Sequence, residues 1–410
     1  MAIIGLDVGR GNAVVAALNE FPRNPKRYFS QHRRNFLRLQ ANQEGINTLL
    51  SFSPQGIVME PTGMWYSAFW SACAAKNSIP IFWVGHADLS AQRHSYGFKN
   101  KRDDEDAFCL ALTYFDDRFV DAHERKRFLT FEAGTIARIR ELFFELKQLG
   151  KCRTLEINQL RQRLALEFPE LQKQYFIRSK KLGFSPALGW LASQHNYSQI
   201  KNKYARSVAH QIGVSISGYT RAHASSICNT EMRITAAEKE LTPLLQKQQF
   251  KAYIEVFREF GFGIRNQALL LNMIYPFDKF LIDARPWVEW EDINGKWQKR
   301  HRSLRSFQAY LGLSYTIRQS GEQKTKKFGG SDICRSQLYE WAVAVVCPEH
   351  AKLNTIVIQK LNAKFNELRK WDSDRNPGND AIAGKDAIIR VLFMATRLLF
   401  QELCKKLTLR

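Results

Sequence analysis

A chain of 410 residues, 45% apolar and 24% charged, has the composition of a globular protein with two or three cores. It contains no run of about 18 apolar residues, which excludes a membrane-spanning helix. Its 61 Lys and Arg outweigh 39 Asp and Glu, and the resulting charge of +22 points to a polyanionic partner, DNA or RNA before an anionic membrane surface.

The first residues, MAIIGLDVGRG, lack the basic flank and long apolar stretch of a signal peptide, so the expected compartment is the cytoplasm. Ala2 to Val8 and Ala13 to Leu18 flank the turn Gly9-Arg10-Gly11-Asn12 and read as a β-hairpin. A third strand is expected around Tyr28 to Arg33, then a helix from Gln43 to Phe52 and a strand from Gly56 to Glu60. A helix from Trp65 to Lys76, a strand from Ile79 to Val84 and a helix opening near Asp103 complete a mixed α/β sheet domain over residues 1–124. Residues 125–254 read as a helical, coiled-coil-like middle and dimerisation region. Ile139, Leu142, Leu146 and Leu149 recur at helical spacing, and Ile157, Leu160 and Leu164 resume it after a skip around Arg153 and Glu156. Residues 255–410 read as a basic, mostly α-helical domain ending in a helix from Ala383 to Lys405. Seven Cys stand singly at 73, 109, 152, 228, 334, 347 and 404, a pattern of reduced thiols rather than of a disulfide framework or zinc site.

Four acids stand where this order of elements would bring them together. Asp7 closes the first strand, and Glu60 closes a later one before Pro61-Thr62-Gly63 stops the pairing. Asp103 and Asp106 are three apart at a helix start and share a face. Hard divalent ions take oxygen ligands, and phosphoryl chemistry uses them to activate a nucleophile and offset charge on the leaving oxygen. Each acid alone also suits a turn or cap, and Asp104 and Glu105 compete with Asp103 for the register.

GLDVG (5–9), VMEPTGMWY (58–66) and KNKRDDEDAFCLA (99–111) resemble the three acidic motifs of the DEDD transposases of insertion sequence family 110, whose N-terminal domain is similar to RuvC-type Holliday junction resolvases. The resemblance implies an RNase H-like fold for residues 1–124. It also implies an Asp7, Glu60, Asp103, Asp106 quartet holding Mg²⁺, or Mn²⁺ in its place. Arg102 stands where the family usually has Thr. Phe260-Gly261-Phe262-Gly263 and the run FQAYLGLSYTIRQSG (307–321) resemble the second domain of the same family, which assigns Ser320 as a nucleophile forming a phosphoserine link to DNA.

A serine hydroxyl needs a metal, a base or nearby cations to attack at neutral pH. Ser320 lies in a cationic stretch, with Ser314 and Ser331 as local competitors. Arg318, Lys324, Lys326, Lys327, Arg335, Lys385 and Arg390 are candidate phosphate contacts; a solvated basic face is the alternative. Trp287, Trp290 and Trp297 suit base stacking or packing, in a segment, Trp287 to Arg302, that departs from the family pattern. The resemblance further implies a structured noncoding bridge RNA that pairs with donor and target DNA duplexes, a homodimer that assembles to a tetramer, and action at a prokaryotic nucleoid. Two rival expectations stand beside this DNA recombinase: a metal-dependent resolvase-like nuclease without a covalent intermediate, and a catalytically idle RNA-binding protein.

Overall fold

The computed structural model describes residues 2–62, 65–120, 126–131, 134–320, 323–348, 353–375 and 380–408, without the side chains of 316–320, 323–325, 372, 375 and 380–383. The chain divides into two compact units, Met1–Glu132 and Ala133–Arg410.

The first unit is a mixed α/β sheet domain. Strands β1 (Ala2–Val8) and β2 (Asn12–Leu18) form the expected antiparallel hairpin, with Asp7 opposite Val14. The next element is a helix, α1 (Pro25–His32), where a strand over Tyr28 to Arg33 was expected. The cause is local: Arg27 N donates to the Asn24 side chain at 3.0 Å, and Pro25 pre-sets the first helical turn, so a capped start overrides the β-forming Tyr28 and Phe29. The third strand is β3 (Leu37–Gln40), antiparallel to β2. Then follow α2 (Gln43–Ser51), β4 (Pro54–Met59), α3 (Tyr66–Lys76), β5 (Ile81–Trp83), α4 (His86–Ser95) and α5 (Asp103–Phe115).

The five strands lie in the order β3-β2-β1-β4-β5, with β1, β4 and β5 parallel. Ile4, Leu6, Ala13, Val15 and Ile57 pack on one face with Leu49 and Trp70; Ile3, Val14, Ala16 and Val58 pack on the other with Phe108 and Ala111. Burial on both faces explains why β1 reads as an almost unbroken apolar run rather than an alternating one.

The second unit is mostly helical. Helix α6 (Thr135–Glu167) runs unbroken through the skip in its apolar pattern and packs along α11 (Gly218–Leu245). At the skip the contact turns polar: Arg153 pairs with the fully buried Glu231 at 2.6 Å, and Glu156 accepts from the Ser226 and Thr230 hydroxyls at 2.8 and 3.1 Å. Between the long helices lie α7 (Pro169–Gln172), α8 (Pro186–Leu191), α9 (Ser198–Ala205) and α10 (Val208–Gln211), around a small core that includes Leu164, Phe168, Leu188 and Ile227.

The other half of the helix pair, Ile139 to Leu149 and Ile234 to Leu245, shares one core with the rest of the unit. That remainder comprises α12 (Lys251–Glu259), α13 (Ile264–Ile274), the short pair β6 (Leu281–Ile282) and β7 (Arg285–Pro286), and the hairpin β8 (Val288–Ile293) and β9 (Lys296–His301). Helix α14 (Arg302–Tyr310) leads to a second hairpin, β10 (Ser314–Ser320) and β11 (Gln323–Gly329), followed by α15 (Asp332–Trp341), α16 (Ile356–Arg375) and α17 (Asp380–Leu407). All seven Cys are unbonded.

Candidate functional site

Asp7 lies on the same face of β1 as Ile3 and Gly5, the face covered by α5. Gly5 decides how close that helix comes. A methyl group there would collide with the Ala107 carbonyl oxygen and lie 2.6 Å from the Ala111 amide. Without it, the α5 backbone rests on the strand. Ala107 is one helical turn from Asp103, and Gly5 is two residues from Asp7, so the same close approach brings both helix acids toward the end of β1. Glu60 directly follows β4, the parallel neighbour of β1 in which Met59 pairs with Leu6. Two acids therefore sit at the carboxyl ends of adjacent parallel strands, and two in the first turn of a helix whose partly positive N-terminus favours them.

Their electrostatics reflect this convergence. Asp7 is pushed up to about 7, first by burial and then by the negative charges of Asp106, Asp103 and Glu60. Asp104 and Glu105 are not among the carboxylates that raise it: Asp104 accepts from Arg33 Nε at 2.5 Å and from Arg102 at 3.2 Å, while Glu105 is buried and shifted upward by that burial.

Three of the four acids have protein partners. The buried Asp106 accepts from Arg93 Nη1 at 2.5 Å, and the exposed Asp103 accepts from Arg38 Nη2 at 2.8 Å. Glu60 Oε2 lies 3.0 Å from His86 Nδ1. Asp7 has neither hydrogen bond nor ion pair among the described residues. With the acids turned to these partners, no three His, Cys, Asp or Glu side chains among the described residues are placed to bind one ion as they stand. The chemistry of the set nonetheless fits a hard divalent cation: four oxygen-donor side chains, one of them pushed up to about 7 by burial and by the charges of the other three.

Arg93 and His86, both on α4, escaped the sequence reading. That helix offers little apolar periodicity, with Leu89 its one buried apolar residue, so its polar residues gave no sign of facing the acids.

In the second unit, Ser320 is the last residue of β10 and pairs with Gln323; Gln319 pairs with Lys324 and Arg318 with Thr325. The side chains of Ser320, Arg318 and Lys324 lie outside the described residues. The hairpin is anchored at its base by Gly312 and Gly330, both at φ +79°, where a side chain on Gly330 would strike the Ala309 carbonyl. Of the competing serines, Ser331 is engaged as the cap of α15, accepting from Cys334 N at 3.2 Å, whereas Ser314 opens β10. Lys326 and Lys327 are exposed on β11, and Lys385 and Arg390 on α17, with the Arg390 guanidinium 4.6 Å from the Trp371 ring centre. Arg335 is engaged inside the fold: it donates to the Gly312 carbonyl at 2.9 Å, pairs with Asp332 and covers the Phe328 ring.

The chain matches no protein-family model, and comparison with curated proteins finds no similar one.

Proposed function

We propose that this chain is a DNA recombinase of the transposase kind, in which Asp7, Glu60, Asp103 and Asp106 hold Mg²⁺ or Mn²⁺ against a DNA backbone. The observation that carries this reading is the convergence of four acids at the ends of β1 and β4 and the start of α5, where burial and then the charges of Asp106, Asp103 and Glu60 raise the proton affinity of Asp7. A structural cap or turn acid gains nothing from such crowding, which costs stability unless a cation enters. The strand order β3-β2-β1-β4-β5, with the first three antiparallel and the last two parallel to β1, supports an RNase H-like assignment for the first unit. The bound ion would offset phosphate charge and activate the attacking oxygen. Arg93 and His86 orient Asp106 and Glu60, and the half-exposed Arg38 is a cation beside the acids that suits a phosphodiester.

In the second unit we assign Ser320 as the nucleophile of a covalent DNA intermediate, on its motif and its place at the end of a hairpin carrying Lys326 and Lys327. The segment from Ile157 to Cys228 adds a polyanion-binding surface. It holds ten Lys and Arg against two Glu. Both Glu are used internally, Glu167 accepting from Ser217 and Glu170 from Ser207 and Val208, so the outward charge is positive. A structured bridge RNA and two DNA duplexes are the partners this charge would serve, in a homodimer that becomes a tetramer on DNA.

The test is to trap the chain on a suicide DNA substrate with Mg²⁺ and the noncoding RNA from its flanking DNA. The expected result is a covalent adduct that is lost in both Ser320→Ala and Asp7→Ala. Cleavage without an adduct that survives Ser320→Ala would replace the serine chemistry with a metal nuclease of the resolvase type.

A further inference from the structure

We propose that one face of the β8–β9 ribbon is a stacking platform for unpaired bases of a DNA strand. The pairing sets the two faces. Glu289 pairs with Arg300, Trp290 with Lys299, Glu291 with Gln298 and Asp292 with Trp297. One face therefore carries Glu289, Glu291 and Arg300; the other carries Trp290, Trp297, Lys299 and Asp292. The first face is closed by ion pairs, Arg300 to Glu291 at 3.1 Å and Arg302, the first residue of α14, to both Glu289 and Glu291. The second face is open: Trp290 is 62% exposed and Trp297 69%, and neither indole has a hydrogen-bond or ring partner among the described residues.

Two large aromatics side by side in water are a costly arrangement for a monomer and mark a surface that something covers. Charge selects the occupant. With Glu289 and Glu291 neutralised, Lys296 and Lys299 are left without an ion pair among the described residues, against Asp292, so the ribbon as a whole carries net positive charge, with Lys299 directly across from Trp290 on the ring face and Lys296 on the other. The two Trp are diagonal neighbours, about 7–8 Å apart in such a ribbon. That is close to twice the ~3.4 Å rise of stacked bases, so the pair has room for one base between its rings. A duplex hides its base faces and offers only phosphates and groove edges, whereas an unpaired strand offers a π-face at every base. The choice of DNA over RNA rests on the function proposed above: α14 packs on both β8 and β10, and β10 ends at Ser320, so the ribbon sits one helix from the residue assigned to attack a DNA strand.

Binding of the full chain to labelled oligothymidylate, to a DNA duplex of equal length and to oligouridylate, all in chelator so that no strand is cut, tests the platform. Fluorescence anisotropy reads affinity, and quenching of indole emission reads stacking. Trp290→Ala with Trp297→Ala is expected to weaken oligothymidylate binding about ten-fold or more and to remove part of the quench, with duplex binding changed less than about two-fold. Trp290→Phe with Trp297→Phe is expected to restore the affinity, because Phe stacks and a merely structural role for the indoles would not be rescued. Unchanged oligothymidylate affinity, an equal loss on duplex, or a loss confined to oligouridylate would each overturn the proposal. Failure of the Mg²⁺-dependent adduct trap with the quench intact would instead remove the recombinase reading and leave a single-strand-binding ribbon.

Discussion

Asp7→Asn should make the metal-free protein more stable and the metal-loaded one less so. In the folded chain Asp7 titrates at about 7 instead of its ordinary 3.8, a rise of about three pH units. At about 1.4 kcal/mol per unit, the full penalty for its ionised form is about 4 kcal/mol, and partial access to water reduces this to about 2 kcal/mol. Because the folded value is raised, the stability that Asp7 contributes is fully present below pH 3.8 and is lost as pH rises through about 7. The wild type in chelator should therefore weaken between pH 5 and pH 8, whereas Asn, which never ionises, should not. Hydrogen exchange of the β1 and α5 amides, followed across that range, isolates this sheet from the second unit. The expected result is a small gain in protection for Asp7→Asn at pH 5 and a clearly larger one at pH 8. Mg²⁺ should then protect the wild type at pH 8 and leave the variant nearly unchanged, since cation and proton compete for the same carboxylates. An equal gain for Asp7→Asn at both pH values, or none at pH 8, would refute the crowding on which the candidate metal centre rests.

Gly5→Ala should destabilise the first unit by about 3 kcal/mol, because the added methyl meets helix backbone that cannot rotate away; thermal denaturation reads it, and Mg²⁺ protection should fall with it. Arg93→Met should cost about 3–5 kcal/mol in metal-free protein by leaving Asp106 buried without its counter-charge, and bound Mg²⁺ should recover much of that loss in the same denaturation assay. Lys180→Glu with Lys181→Glu, both exposed in the segment between the long helices, should weaken polyanion binding across sequences and flatten its salt dependence by about one unit of slope for each phosphate no longer neutralised.

Much of the first unit was legible because its elements announce themselves locally. The tight turn after β1, the apolar run of β4 and the acids at α5 are all set by near neighbours in the chain. Helix α1 was misread although its signal was present: Asn24-Pro25 is a cap followed by a first-turn proline, and the strand assignment weighed Tyr28 and Phe29 above it. In the second unit, the broken apolar pattern of α6 looked like an interruption. The structure fills it with Arg153, Glu156 and their partners on α11, 70 to 78 residues away in sequence, which no local pattern encodes. Likewise, the segment from Trp287 to Arg302 left its tryptophans open between stacking and packing, and it is the ribbon's place outside any larger sheet among the described residues that leaves Trp290 and Trp297 in solvent.

Charge compensation explains both what the sequence hid at the acidic cluster and how that cluster would take up a cation. Four carboxylates at the ends of two parallel strands and one helix cannot all be ionised in a half-buried place without positive charge nearby. Arg93, Arg38 and His86 supply partners for Asp106, Asp103 and Glu60, and each comes from a different element from its acid. Asp7 receives none, so it is the acid whose affinity for a proton rises. A divalent cation entering here would displace that proton and draw the other three acids from their partners. Its affinity must therefore climb with pH toward about 7 and level off above it, whichever phosphodiester the protein acts upon.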